Sequence, residues 1–302
     1  MLFEMKYDKP VLTVEEQAKL LISRGLIATE QEIIEKLTYI SYYRFSSYLY
    51  PFRECEKDVF KSGTTFEMVW QQYTFDRKLR LLVFNAIELI EIALRTRITN
   101  HFCLQYGSFA YLERNYFPKF SPEDFQTWTD EVCEEISKSK DYAVTHFEEK
   151  YGDSHDGPPL WIAAEFMTFG KIVTLCRKID RDLMGMLAKD FHVVDAVFSS
   201  WLLTLNETRN VCAHHSRLWN RILKIKPKLP NKNKYSEWHT PIEITNNKMF
   251  SVLTIINYVL MQIAPEYSWR TRLNNLLVEY PSIPIERMGF PENWEQSPLW
   301  KK

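Results

Sequence analysis

The stretch from Thr65 to about Gln105 constrains this chain more than any other, because it contains neither Gly nor Pro. Within it Phe75, Leu79, Leu82, Ala86, Leu89 or Ile90, Ala93 and Arg97 recur at helical spacing. That pattern predicts one long helix with a continuous apolar stripe. A chain that commits this much of its length to one helix buries the stripe most simply against other helices. The remaining sequence agrees. Only 8 of 302 residues are Gly, and no segment of any length alternates apolar with polar residues as a half-buried strand does. The expected fold class is all-α.

Punctuation between helices suggests the organisation. Thr13 and Thr29 stand before acid-rich first turns, the signature of helix N-caps, in TVEEQAKLLISRG and TEQEIIEKLTYI. The aromatic run YYRFSSYLYPF (42–52) follows, and Pro51 with the polar segment 53–64 suggests a boundary. Residues 1–60 therefore read as a small helical module and 65–302 as a larger helical domain. Within that domain 107–158 reads as an insertion and about 222–245 as a basic loop. Further helices are expected at 160–176, after the break DGPPLW, and at about 180–190, 193–212, 246–264 and 267–279. An irregular tail is expected from Pro281.

Composition excludes several classes. Hydrophobic residues make up 45% and charged residues 25%, which is globular and not disordered. A net charge of −1 excludes a uniformly basic nucleic-acid binder and leaves room for a local basic patch. The five cysteines, Cys55, Cys103, Cys133, Cys176 and Cys212, are scattered without a CxxC pair. They suggest neither a metal site nor a disulfide framework. The first ten residues lack a signal-peptide pattern. The most apolar run, 249–264, falls short of the roughly 20 residues of a bilayer span. A cytoplasmic protein without a membrane segment, metal or cofactor is the expectation.

The stretch that carries chemistry is NETRNVCAHHSRLWNR, Asn206 to Arg221. It sets Arg209, Asn210 and His214 close together at the end of an amphipathic helix. Arg provides a permanent planar charge for phosphate oxygens, and His moves protons near neutral pH. Together they suffice for RNA transesterification, in which the ribose 2′-OH attacks the adjacent phosphate. On an unbroken helix residues five apart lie about 140° apart, so Arg209 and His214 would face different ways. Either the helix ends near Cys212, or the two meet around a helix of a second copy.

RNVCAHHSRLWNR resembles the C-terminal signature of the Abi-like family, the AbiD/AbiF abortive-infection proteins of bacteria. ISYYRFSSYLYPF (40–52) and PPLWIAAEFMTFGKI (158–172) resemble its N-terminal and central motifs, and the helix 75–98 also fits. The family is similar to HEPN domains, including those of RNA-guided CRISPR ribonucleases. This resemblance implies a HEPN-like helical bundle, RNA cleavage without metal and a site completed by dimerisation. It also implies a role in halting growth during phage infection, restrained by a regulatory RNA or an antitoxin protein. The family's Arg-Asn-x-x-x-His motif maps onto Arg209, Asn210 and His214, while His215 and Arg217 belong to the surrounding signature. In this reading His214 transfers protons, Arg209 holds the phosphate and Asn210 orients its neighbours.

Supporting residues each carry a second explanation. Glu91, or Glu88, could brace Arg209, as an acidic residue on this helix often does in HEPN-like proteins; Glu91 could equally pair with Arg95 one turn on. Arg95 and Arg97 could line an RNA path or form a basic helix end with His101. Arg44, among Tyr42, Tyr43 and Tyr48, could contact RNA beside stacking rings, or those rings could be core. Lys224, Lys226 and Lys228, with Lys232 and Lys234, could touch the RNA backbone or simply be solvated. Trp161, Phe166 and Phe169 read as core. The alternative function is a non-catalytic RNA-binding or RNA-sequestering protein; a helical interaction protein with no RNA role is a further one. The titratable His favours the enzyme, since binding alone needs only charge.

Overall fold

A computed structural model describes residues 10–54 and 57–301. Twelve α-helices account for its regular structure, and among the described residues there is no β-strand, only three isolated bridges. Cys55 and the first nine residues, on which two of the expectations above rest, lie outside the described residues. The described residues fall into two compact units, Met1–Lys78 with Leu276–Ile283, and Leu79–Asn275 with Pro284–Lys302.

In the first unit, helices α1 (Val14–Ser23) and α2 (Glu30–Leu37) begin as their sequences predict. The Thr13 and Thr29 hydroxyls accept from the amides of Glu16 and Glu32, whose side chains cap back onto the threonine amides. Each such cap is worth about 1 kcal/mol. Helix α3 (Tyr42–Leu49) turns Phe45, Tyr48 and Leu49 inward. They join Ala18, Leu21, Ile33 and Leu37 in one core, flanked by rings from the start of α4 (Phe66–Tyr106). Phe45 lies 5.2 Å from Phe66, and Trp70 stacks on Tyr73 at 5.3 Å. The Tyr48 hydroxyl donates to the buried Asp76 carboxylate at 2.5 Å.

The second unit is built on the rest of α4. Leu79, Val83, Ala86, Ile87, Ile90, Leu94, Ile98 and Phe102 are almost wholly buried. The core stripe thus takes Ile90 and not Leu89, and leaves Ala93 and Arg97 at its edge. Helices α5 (Pro122–Ser137) and α6 (Tyr142–Tyr151) occupy the segment between α4 and the DGPPLW break. The expected single helix over 160–176 is instead two, α7 (Leu160–Phe166) and α8 (Phe169–Lys178). The Thr168 hydroxyl accepts from the Lys171 amide at 3.4 Å and starts a new N-terminus inside an otherwise periodic run. Helices α8 and α9 (Arg181–Asp190) pack on α10 (Asp195–Ala213), and α11 (Met249–Ile263) lies against α10 as well. Helix α12 (Trp269–Glu279) begins at the buried Trp269, whose indole donates to the Leu82 carbonyl at 3.0 Å.

The chain beyond Pro284, expected to be irregular, is folded onto α11. Trp300 stacks on Phe250 at 5.7 Å and donates to the Thr254 hydroxyl at 3.1 Å, with Trp294 edge-on to it. Short 3-10 turns, Ile285–Met288 and Trp294–Gln296, replace helix there. Among the described residues no helix is long and apolar enough to cross a membrane.

Candidate functional site

Helix α10 delivers the motif and then stops. The His214 amide donates to the Asn210 carbonyl at 2.9 Å, the His215 amide to Cys212 at 3.0 Å and the Ser216 amide to Val211 at 2.9 Å. His215 takes the left-handed conformation, φ 55°, that such a helix end requires. Glycine is the usual occupant, but His is among the side chains that tolerate this region. The helix therefore ends at Ala213, one of the two possibilities the motif spacing left open. His214 caps it with its side chain exposed, and His215 is exposed beside it.

Arg209 faces a different direction, into an open cavity of about 330 Å³ lined by Phe84, Glu88, Glu91, Ile92 and Arg95. Its guanidinium lies over the Phe84 ring, 5.7 Å from the centroid, an arrangement that favours a cation on the π-face. Its Nε is buried and has no hydrogen-bond partner. The same is true of Arg95 Nε, so two guanidinium groups with unused donors line one cavity.

The second arginine is held firmly. Arg95 ion-pairs with Glu91 at 2.9 Å, donates to the Met167 carbonyl at 3.0 Å and reaches Glu165 at 3.4 Å; only 13% of its side chain is exposed. The alternative reading of Glu91 as an intrahelical partner of Arg95 is thus what the contacts show. The charge of Arg209 nevertheless also acts on Glu91. Burial pushes the Glu91 carboxyl above its ordinary value, against the pull of Arg95 and then Arg209, with a smaller push from Glu88 in the same direction as burial. The ion-pair geometry alone would lower it; the low-dielectric surroundings outweigh that pull.

Other candidate residues are placed as follows. Asn210 is half-buried on α10, and Arg217 is half-buried on the returning chain, its carbonyl accepting from Arg221 at 3.3 Å. Arg97 lies away from the cavity, donating to the Asp190 carbonyl at 2.8 Å over the Phe191 ring, while His101 meets the Asp190 carboxylate at 2.7 Å. These two bind the C-terminal end of α9. Arg44 is half-buried on α3, in the other unit.

Lys224, Lys226 and Lys228 are exposed along a segment, bent at residues 224–225, whose alternate residues Leu223, Ile225 and Pro227 are buried or half-buried. That segment is fastened to α10. Ile225 O accepts from Thr204, Lys228 N–H donates to Ser200 and Lys228 O accepts from the Trp201 indole. The three lysines therefore recur at every second residue on the exposed side of the segment.

Trp161 was expected in the core and is instead 52% exposed, while Phe169 is buried and Phe166 half-buried. Helix α7 is amphipathic in an unexpected sense: Leu160, Ala163 and Ala164 face inward and the largest ring faces out. Composition could not reveal this, because tryptophan is highly buried on average. Among the described residues, no three His, Cys, Asp or Glu side chains are grouped as metal ligands would be.

A family model described as Abi-like protein matches residues 35–220, from α2 to seven residues past the end of α10. No curated protein and no solved structure gives a significant match.

Proposed function

The chain belongs to the Abi-like protein family, and from that membership we propose that it is an endoribonuclease of the HEPN type acting in abortive-infection defence against phage. The observation that carries this reading is the open cavity beside α10 that Arg209 and Arg95 line together, Arg209 standing on the same helix whose end exposes His214. Phosphate recognition needs such preorganised cationic donors. Proton transfer needs a titratable group within reach of solvent and substrate.

In the proposed step, a His214 imidazole takes the proton from the ribose 2′-OH, whose oxygen attacks the neighbouring phosphorus. Arg209 neutralises the charge that accumulates on the phosphoryl oxygens. The bond to the 5′-oxygen breaks, and that oxygen leaves with a proton from an imidazolium. The products are a 2′,3′-cyclic phosphate and a 5′-hydroxyl. Two copies of the chain would supply one His as base and one as acid, so a homodimer belongs to the proposal. Asn210 orients the substrate or Arg209, while the backbone of His215, with Arg217 after it, forms the turn that carries His214. An enzyme of this kind must be restrained in a growing cell, which calls for a regulatory RNA or an antitoxin protein.

The test is incubation of purified protein with end-labelled RNA in EDTA, beside Arg209→Ala, His214→Ala and the double variant. The wild type is expected to leave cyclic phosphate ends, and each single variant to lose at least about 100-fold in rate. Tight RNA binding without cleavage by the wild type would replace the enzyme with an RNA-sequestering protein. Undiminished cleavage by the double variant would remove the motif from the chemistry.

A further inference from the structure

We propose that Trp161 is a stacking platform for an unpaired nucleobase of the bound RNA, linked to the Arg209 cavity through Glu165 and Arg95. The inference rests on the nuclease reading and adds a base-binding subsite to it.

Three observations converge on Trp161. Its exposure is the first. Trp201, Trp219, Trp238 and Trp269 are fully buried, and among the described residues no other tryptophan is exposed. A ring that folding leaves in water has no packing reason to be a tryptophan.

The second is its support. The opposite face of α7 is buried through Leu160, Ala163 and Ala164. The Leu160 amide donates to the Ser108 carbonyl at 2.9 Å, and the Tyr111 hydroxyl donates to the Pro158 carbonyl at 2.7 Å. The indole is therefore mounted on a fixed element. The backbone that carries it therefore needs no ordering when a base lies against the ring.

The third is its position. Trp161 and Glu165 are one turn apart on the same side of α7, with Cβ atoms about 5–6 Å apart. Glu165 reaches Arg95 at 3.4 Å, and Arg95 lines the cavity with Arg209. Trp161 is thus linked to the cavity through Glu165 and Arg95, the last of which lines it with the motif arginine. The Glu165 carboxylate is itself 65% exposed and weakly held, so a phosphate of the strand can take its place on Arg95. The base of that nucleotide then comes within reach of the Trp161 face. Every base offers a π-face, so the contact is tolerant of sequence. A base inside a duplex is already stacked and paired and cannot reach it.

The experiment uses the full chain with Trp161→Ala and Trp161→Phe. Affinity is measured in a His214→Ala background with a short single-stranded RNA and with the same strand annealed to its complement, and cleavage is measured in the parent background. Trp161→Ala is expected to weaken single-strand binding and raise KM by about 5- to 150-fold. Its kcat at saturation should stay within about threefold, because the ring contributes to binding and not to the chemical step. Trp161→Phe should retain most of the affinity while losing the RNA-induced quenching of indole fluorescence. Affinity for the duplex should not change. The proposal fails if the wild type cuts single-stranded RNA and Trp161→Ala matches it. It fails equally if duplex and single strand weaken alike, or if Trp161→Ala dissolves a dimer without altering RNA affinity per dimer, which would make the indole a protein interface. A wild type that neither binds nor cuts RNA removes the nuclease reading itself.

Discussion

His215 illustrates how much backbone work the motif does besides chemistry. It holds φ 55° so that the amides of His215 and Ser216 can close the end of α10. An L-residue in that region pays about 1–2 kcal/mol, and glycine escapes the penalty at a smaller cost in chain entropy. His215→Gly is therefore expected to stabilise the fold by about 0.5–1 kcal/mol, read as a raised midpoint in thermal or urea unfolding. A lowered midpoint would mean that the imidazole itself holds the turn. The residue scale is also where sequence reading reached its limits. Arg209, Asn210 and His214 stood out because an Arg, an Asn and a His crowd into six positions. Trp161 did not, because whether a tryptophan faces in or out depends on which side of a seven-residue helix meets its neighbours. The Arg95–Glu165 contact was equally invisible, since it joins residues 70 positions apart.

Among elements, the lysine segment 224–228 and α10 form one unit of structure. Side-chain hydrogen bonds from Thr204 and Trp201 fix the carbonyls of residues 225 and 228, and the alternation turns three ammonium groups outward. If RNA runs along them, replacing Lys224, Lys226 and Lys228 by Ala should weaken binding at all sequences alike. It should also reduce the slope of log Kd against log salt by about 2, at roughly 0.7 per phosphate contact on a single strand. An unchanged slope would leave these lysines solvated and idle. Element existence was largely readable from sequence, because caps such as Thr13 and Thr29 and the stripe of α4 are local signals. The division between α7 and α8 was not, because one hydroxyl at Thr168 competes with a strongly apolar run on either side of it. The folded tail was hidden for a different reason: Trp294 and Trp300 are ordered by Phe250 and Thr254, which lie far back in the chain.

For the whole molecule, the proposed nuclease draws its site from two copies of the chain. His214 and Arg209 leave α10 in different directions, and a second copy could bring the complementary group. If each site takes Arg209 from one chain and His214 from the other, mixing the inactive Arg209→Ala and His214→Ala proteins restores activity. Random exchange would make half the dimers hybrid, each with one site that keeps Arg209 and one His214, so activity would return to no more than about a quarter of the wild-type rate. Hybrids that form and stay inactive would mean that no such exchange of groups completes the site. The α7–α8 junction matters here in a way that its short length conceals. Had residues 160–176 wound continuously, the oxygen of Met167 would have been occupied by the backbone amide one turn ahead. The interruption releases that oxygen, and Arg95 takes it up. The anchorage of a charged group in the cleft is thereby inherited from a folding decision made by Thr168, so restoring an unbroken coil there would unmoor Arg95 without altering any residue that lines the cleft.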